Sequence, residues 1–253
     1  MQMNRQALIG LTHFKNKDGI LVIETPSVQK ANESVMEILG KYSDFKTALF
    51  LSGGTTPKKL YEYFAVQKSL RAGAVGQIDE KFGARNHKKS NEFMIVSTGL
   101  TEYFEKKNIR FYPILEGGRE IEAAAKNYDE ALRFILKYFP KSVGILGIGS
   151  DGHTAGIPAV AEIAQKMLDD QSSLVDFYEE EKYGPRITMN FQALSMLDLI
   201  IIFVLGQEKR EALRMMFDPS VDPGREEIEK VPARFYLKPE IAEKVILITD
   251  QIV

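Results

Sequence analysis

Residues 47–57 read Thr-Ala-Leu-Phe-Leu-Ser-Gly-Gly-Thr-Thr-Pro. A largely apolar strand of five residues is followed by Ser52, Gly53 and Gly54, and then by Thr55, Thr56 and Pro57. Paired glycines let a chain turn tightly and approach a ligand closely. Thr56 reads as a helix N-cap, and Pro57 suits the first helical turn. The stretch predicts strand, turn and helix, with the helix continuing to Val66.

The same rhythm recurs outward from it. Upstream, 20–23 (ILVI) reads as a strand, and 27–39 carries Val28, Ala31, Val35, Ile38 and Leu39 near helical spacing. Downstream, strands are expected at 74–79, 109–112, 143–148, 174–177, 187–190, 199–205 and 245–249. Helices are expected at 90–100, capped by Ser90, and at 119–138 and 207–217, while 80–90 reads as a polar loop. The run 199–205 (LIIIFVL) is apolar without alternation, as in a strand covered on both faces. Strands alternating with helices predict a layered α/β fold with a mainly parallel sheet. We expect one domain over 1–253, with 1–19 as a peripheral N-terminal segment.

Composition narrows the function classes. The chain has 253 residues, with 33 Lys+Arg against 35 Asp+Glu and a formal net charge of -2. That balance removes the electrostatic case for nucleic acid or an acidic membrane surface as partner. The absence of Cys excludes disulfides, thiolate metal clusters and a Cys nucleophile, and it fits a reducing compartment. The first ten residues hold no long apolar run, and the run at 199–205 is too short to span a bilayer. The expectation is a cytoplasmic protein with a small-molecule partner, as a monomer or small homo-oligomer.

In open α/β sheets, ligands sit beyond the carboxyl ends of the strands. After 47–51, the glycine turn and the helix start favour an anion such as phosphate, although an ordinary tight turn looks the same. The G-x-x-x-x-G-K-[ST] spacing is absent, so this is not a P-loop. After 74–79 come Asp79, Glu80, Lys81, His87, Ser90 and Asn91. A carboxylate pair, a Lys and a His so close in sequence can orient a polyhydroxylated substrate or move protons. A solvated loop has the same composition.

After 143–148 comes Gly149-Ser150-Asp151-Gly152-His153-Thr154-Ala155. Gly147, Gly149 and Gly152 match G-x-G-x-x-G, with Asp169 or Asp170 near the spacing of a ribose-binding acid. Asp151 and His153 interrupt that turn, and Pro158 opposes an immediate helix, so the dinucleotide reading is set aside. In the chemical reading, Asp151 orients the imidazole of His153, which acts as a base. The chain has only three His, at 13, 87 and 153, and His153 lies in the loop richest in glycine. Arg186 and Lys209 stand near later strand ends. As phosphate ligands, Arg supplies a fork and Lys a point charge; either can equally be a surface charge. Lys209 near a helix start is disfavoured by the dipole, which favours a functional reason for it.

Taken together, SGGTTP (52–57), DEK…H…SN (79–91), GIGSDGHTAG (147–156), RITMNFQAL (186–194), GQEK (206–209) and VPA (231–233) carry a resemblance. In this order they resemble the family of 6-phosphogluconolactonases and glucosamine-6-phosphate deaminases/isomerases. The resemblance implies a Rossmann-like parallel α/β fold that binds sugar phosphates without a nucleotide. Thr154 in DGHTA is similar to the lactonase branch; the FNEP portion usual in deaminases is missing. Lys81 and Phe82 replace the lactonase Arg-Trp, Gly83-Ala84 replaces Val-Pro, and Gly156-Ile157-Pro158 follows DGHTA in place of Ser-Leu-Phe-Pro. Lys cannot reproduce a bidentate Arg contact.

The resemblance implies hydrolysis of 6-phospho-D-glucono-1,5-lactone in the oxidative pentose phosphate pathway. His153 activates water for attack on the lactone C1, and Asp151 holds His153. Ser52, Gly53, Gly54, Thr55, Thr56, Arg186 and Lys209 hold the 6-phosphate, Lys81 adds positive charge, and Asp79 joins the substrate-binding set. It implies no metal and no cofactor. Two alternatives stand beside it: a deaminase/isomerase in which Asp79 carries the proton, and a sugar-phosphate sensor domain.

Overall fold

The computed structural model describes residues 14–116, 120–221 and 224–253, without the side chains of Arg225 and Glu226. His13 lies outside them, as does Arg119 at the start of the expected long helix.

The described strands are β1 (Lys15–Lys17), β2 (Ile20–Glu24), β3 (Thr47–Leu51), β4 (Ala74–Gln77), β5 (Asp79–Lys81), β6 (Arg110–Tyr112), β7 (Lys141–Leu146), β8 (Val175–Tyr178), β9 (Arg186–Met189), β10 (Leu199–Val204) and β11 (Val245–Thr249). They form two sheets. The large one has the order β1-β2-β11-β10-β7-β3-β4-β6 and the small one β5-β9-β8. In the large sheet every pairing is parallel except β1 with β2. The small sheet is antiparallel. Residues 15–17 therefore form an edge strand, where the sequence reads a peripheral segment; residues 1–13 are outside the described residues.

Helices cover both faces of the large sheet. Along β3, Ala48 and Phe50 enter one core while Leu49 and Leu51 enter the other. The helix Ile121–Tyr138 buries Ala124, Tyr128, Leu132 and Ile135 on the first face. The helices Val28–Tyr42 and Thr55–Gln67 bury Val35, Ile38, Leu60 and Phe64 on the second. This two-sided burial explains why β10 reads as an unbroken apolar run and is buried throughout. Each such Leu, Ile or Phe is stabilised by about 1.5–3 kcal/mol relative to exposure. No helix among the described residues is long and apolar enough to cross a membrane.

Several expectations need correction. The expected strand 74–79 is two strands in different sheets, separated by Ile78, and the second runs two residues into the expected loop, which holds from Phe82 to Ser90. The Ile78 amide donates to Leu51 O (2.9 Å) in the large sheet, and its carbonyl accepts from Met189 N (2.9 Å) in the small one. Tyr128 anchors the break, donating to Gln77 O (2.6 Å) and accepting from Gln77 N (2.7 Å). The segments expected at 174–177 and 187–190 lie in the small sheet, where the second pairs with β5 on one side and with the first on the other. The expected helix 90–100 is two helices, Asn91–Ser97 and Leu100–Lys106, because Gly99 turns left-handed (φ 77°) between them. The helix expected at 207–217 begins as a 3-10 turn, Gln207–Lys209, before Arg210–Met216.

The sheet order places the site. After β3 the chain moves outward through β4 and β6; after β7 it moves the other way through β10 and β11. β3 and β7 are neighbours, so their carboxyl ends flank the point where the order reverses. A crevice at such a point is where ligands bind in open α/β sheets.

Candidate active site

A cleft of about 240 Å³ opens there. One side of it begins with the turn after β3. Ser52 N donates to Ile145 O (3.1 Å), and Tyr61 Oη donates to Ser52 O (2.9 Å), which fixes the turn against β7. Gly54 takes φ 112°, and the helix begins at Thr55. Gly54 is thus the N-cap, and Thr56 sits in the first turn rather than capping it. The helix starts two residues sooner than the Thr-Pro pair suggests because only glycine adopts that φ cheaply. Ser52, Gly53, Gly54, Thr55 and Thr56 all line the cleft. The first amides of a helix lack internal partners and favour an anion.

Beside it stands the turn after β7. Asp151 Oδ1 accepts from His153 N (3.2 Å) and meets His153 Nδ1 at 2.6 Å. A carboxylate only accepts, so the neutral ring donates from Nδ1 and presents a lone pair at Nε2. Nε2 has no hydrogen-bond partner among the described residues, and the ring lines the cleft. Burial works to raise the Asp151 carboxyl. The His153 ring and amide and the Tyr183 hydroxyl outweigh it and hold that carboxyl below its usual value. Gly149 is required here: a Cβ on it would lie 2.0 Å from His153 ring atoms.

The rest of the motif is scaffolding. Thr154 is fully buried, donates to Gly147 O (2.9 Å) and meets Tyr236 Oη (2.8 Å). The VPA stretch supports the loop from below, with Ala233 N donating to Gly152 O (3.0 Å) and Val231 packed where a Gly152 Cβ would stand.

The small sheet supplies the other side. Side chains alternate along β5, so Asp79 and Lys81 line the cleft while Glu80 faces away. Glu80 is fully buried and accepts from Lys81 N, Asn91 N and Glu92 N (2.7 Å each) and Gln77 Nε2 (2.9 Å). It is a strut that holds the following helix, not a substrate contact. Asp79 accepts through Oδ2 from Arg186 Nη1 and from Asn91 Nδ2 (3.1 Å). Arg186 lines the cleft too, but its side chain is only 15% exposed and its guanidinium faces a carboxylate. Gly156 (φ 68°) passes so close that a Cβ would lie 2.7 Å from Arg186 Cδ.

Lys209 closes the ring of residues. It ends the turn Gln207–Lys209, lines the cleft, and donates from Nζ to Ile148 O (2.9 Å). Gly206, which starts that turn, is held by Asp250 at 3.0 Å. Lys81 Nζ has no ion-pair partner among the described residues. Ser52 Oγ and Arg186 Nε are buried without hydrogen-bond partners among the described residues, which is uncommon for such groups.

The structure therefore brings Ser52, Gly53, Gly54, Thr55, Thr56, Asp79, Lys81, His153, Arg186 and Lys209 to one cleft, with Asp151 behind His153. His87 is not among the lining residues. Its Nδ1 accepts from Lys89 N (3.3 Å) and its Nε2 donates to Lys81 O (3.2 Å), closing its own loop. Sequence reasoning missed Tyr183, whose hydroxyl donates to Asp151 Oδ2 (2.9 Å), and it left Asn91 out of the site. Asn91 carried a signal, the Ser-Asn pair at a helix start; Tyr183 carried none.

Known proteins are similar to this chain in sequence and fold. A 6-phosphogluconolactonase from Mesorhizobium japonicum is 31% identical over 182 residues, covering 70% of this chain and 72% of its own. The solved structure of a 6-phosphogluconolactonase from Thermotoga maritima matches with a TM-score of 0.68 at 25% identity, over 91% of this chain and 98% of that one. A monomeric glucosamine-6-phosphate deaminase shares the fold with a TM-score of 0.66 at 17% identity, over 91% of this chain and 97% of that one. The model of the glucosamine-6-phosphate isomerases/6-phosphogluconolactonase family matches residues 25–245. With its motifs gathered around one cleft at the β3–β7 crossing, the chain belongs to that family.

Proposed function

We propose that the chain hydrolyses 6-phospho-D-glucono-1,5-lactone to 6-phosphogluconate, with His153 as the general base. The observation that carries this reading is the Asp151–His153 pair, whose free Nε2 belongs to a ring lining the same cleft as the glycine turn and Lys209. The name of the Mesorhizobium relative agrees with it.

His153 Nε2 takes a proton from water as the oxygen attacks C1 of the lactone. The C1–O5 bond breaks as the tetrahedral intermediate collapses, and the imidazolium returns the proton to the departing ring oxygen. Asp151 holds the ring through Nδ1 during both transfers. A lactone is already electrophilic, so a positioned base contributing about 10²–10⁴-fold is sufficient chemistry. Amides at the start of Thr55–Gln67 and the Lys209 ammonium hold the 6-phosphate, and Lys81 adds charge at the cleft. This reaction belongs to the oxidative pentose phosphate pathway and fits a cytoplasmic location.

The deaminase reading assigns proton transfer to Asp79. Against it, Asp79 Oδ2 is engaged by both Arg186 and Asn91, and the carboxylate braces β5 against β9. The fold alone does not separate the two, since a deaminase shares it. The test is a coupled assay with fresh lactone, corrected for spontaneous opening. Hydrolysis above background without ammonia release from glucosamine 6-phosphate supports the proposal; the reverse result replaces it with the deaminase.

A further inference from the structure

We infer that Tyr183 is a positioning residue that fixes the orientation and charge of the Asp151–His153 pair. The inference rests on His153 being the base. The Asp151 carboxylate is held from both sides. Oδ1 meets His153 Nδ1 at 2.6 Å, while Oδ2 accepts the Tyr183 hydroxyl at 2.9 Å. Without the second bond only the His153 amide and ring hold the carboxylate, both through Oδ1, and the imidazole has a less firmly fixed partner. The Tyr183 ring also packs edge-on to His153, with centroids 6.5 Å apart at 70°.

The turn between β8 and β9 is built to deliver this side chain. Gly184 N donates to Glu180 O (2.7 Å), Tyr183 N donates to Glu180 Oε2 (2.9 Å), and Gly184 takes φ 71°. Lys182 Nζ donates to Tyr183 Oη (3.2 Å), so the phenol oxygen accepts from an ammonium while its proton goes to Asp151. An ammonium on the acceptor side polarises the O–H and strengthens its donation. The small sheet thus reaches the base as well as lining the cleft.

The electrostatic consequence has a definite sign. The phenol proton withdraws charge from Asp151. Remove it, and the carboxylate faces His153 with fuller negative charge, which favours the imidazolium. The base then stays protonated, and idle, to a higher pH. The other charged groups around the pair remain: Lys182 and Glu180 behind it, and Asp79, Lys81, Arg186 and Lys209 on the cleft.

The test is Tyr183→Phe, which keeps the ring. We expect kcat at neutral pH to fall about 3–10-fold, the scale of one hydrogen bond, with KM within about 2-fold. The acidic limb of the kcat/KM profile moves to higher pH. In Asp151→Asn, adding Tyr183→Phe brings no further loss. With only three His in the chain, an NMR titration reads His153 directly, its signal identified by loss in His153→Asn. Its midpoint rises in Tyr183→Phe while the other two stay in place. An unmoved acidic limb together with an unmoved His153 midpoint overturns the inference and leaves Tyr183 a packing residue. The titration needs no turnover: a risen midpoint in a protein that hydrolyses no lactone sustains the positioning role and removes the proposed function.

Discussion

The cleft has two kinds of wall. On the side of the large sheet, its groups stand in turns that leave parallel strands, at Ser52–Thr56, Gly149–His153 and Lys209. On the side of the small sheet, they stand on antiparallel strands of three or four residues, at Asp79, Lys81 and Arg186. The first wall owes its shape to glycines, which let backbone and imidazole approach. The second owes its shape to register, which sets Asp79 opposite Thr188 and brings Arg186 within diagonal reach. The difference teaches that the first wall presents reacting and anion-binding groups, while much of the second holds itself together. Substitutions should separate the two.

Among the substitutions that separate the two walls, the largest expected effect is on stability, from the second wall. Arg186→Ala leaves the Asp79 carboxylate, 6% exposed, without its cation. Breaking such a pair from one side costs about 3 kcal/mol, or roughly 10 °C in Tm for a chain of this size. Thermal unfolding by circular dichroism measures it, and adding Asp79→Asn recovers part of the loss. If Arg186→Ala leaves Tm alone and raises only KM, Arg186 is a phosphate ligand and the division between the walls fails.

Gly149→Ala comes next, on the first wall. Its Cβ would displace the His153 ring, so kcat should fall by about 10²-fold with Tm nearly unchanged. A comparable loss of Tm would show that this turn, too, is structural. The smallest effect is expected from Lys209→Ala. Removing one charge-assisted contact should raise KM about 10-fold with kcat within about 3-fold. Steady-state kinetics checks both, and an unchanged KM removes Lys209 from the phosphate site.

The two walls also differed in how far the sequence revealed them. The turns after β3 and β7 were legible because their signals are local: an apolar run, then glycines, then polar groups. The three residues of β5, Asp-Glu-Lys, carry no apolar alternation, and their extended form comes from pairing with β9, more than a hundred residues away. That is why 80–90 read as a loop, and why Glu80, a buried strut, looked like half of a catalytic carboxylate pair. Arg186 was recognised as a cation near the site, but its partner was not, since an ion pair between distant segments leaves no spacing to read. Tyr183 reaches Asp151 for the same non-local reason. Thr56 was misjudged as a cap within one turn, because Gly54 at φ 112° starts the helix earlier than the Thr-Pro pair implies.

The central claim is that His153 does chemistry in a cleft whose binding groups are separate from it. His153→Ala tests this most directly, by lactone hydrolysis and by calorimetric binding of 6-phosphogluconate on the same preparation. Turnover should fall by about 10²–10⁴-fold while the Kd stays within about 3-fold. Turnover at the rate of the unsubstituted protein would contradict the account.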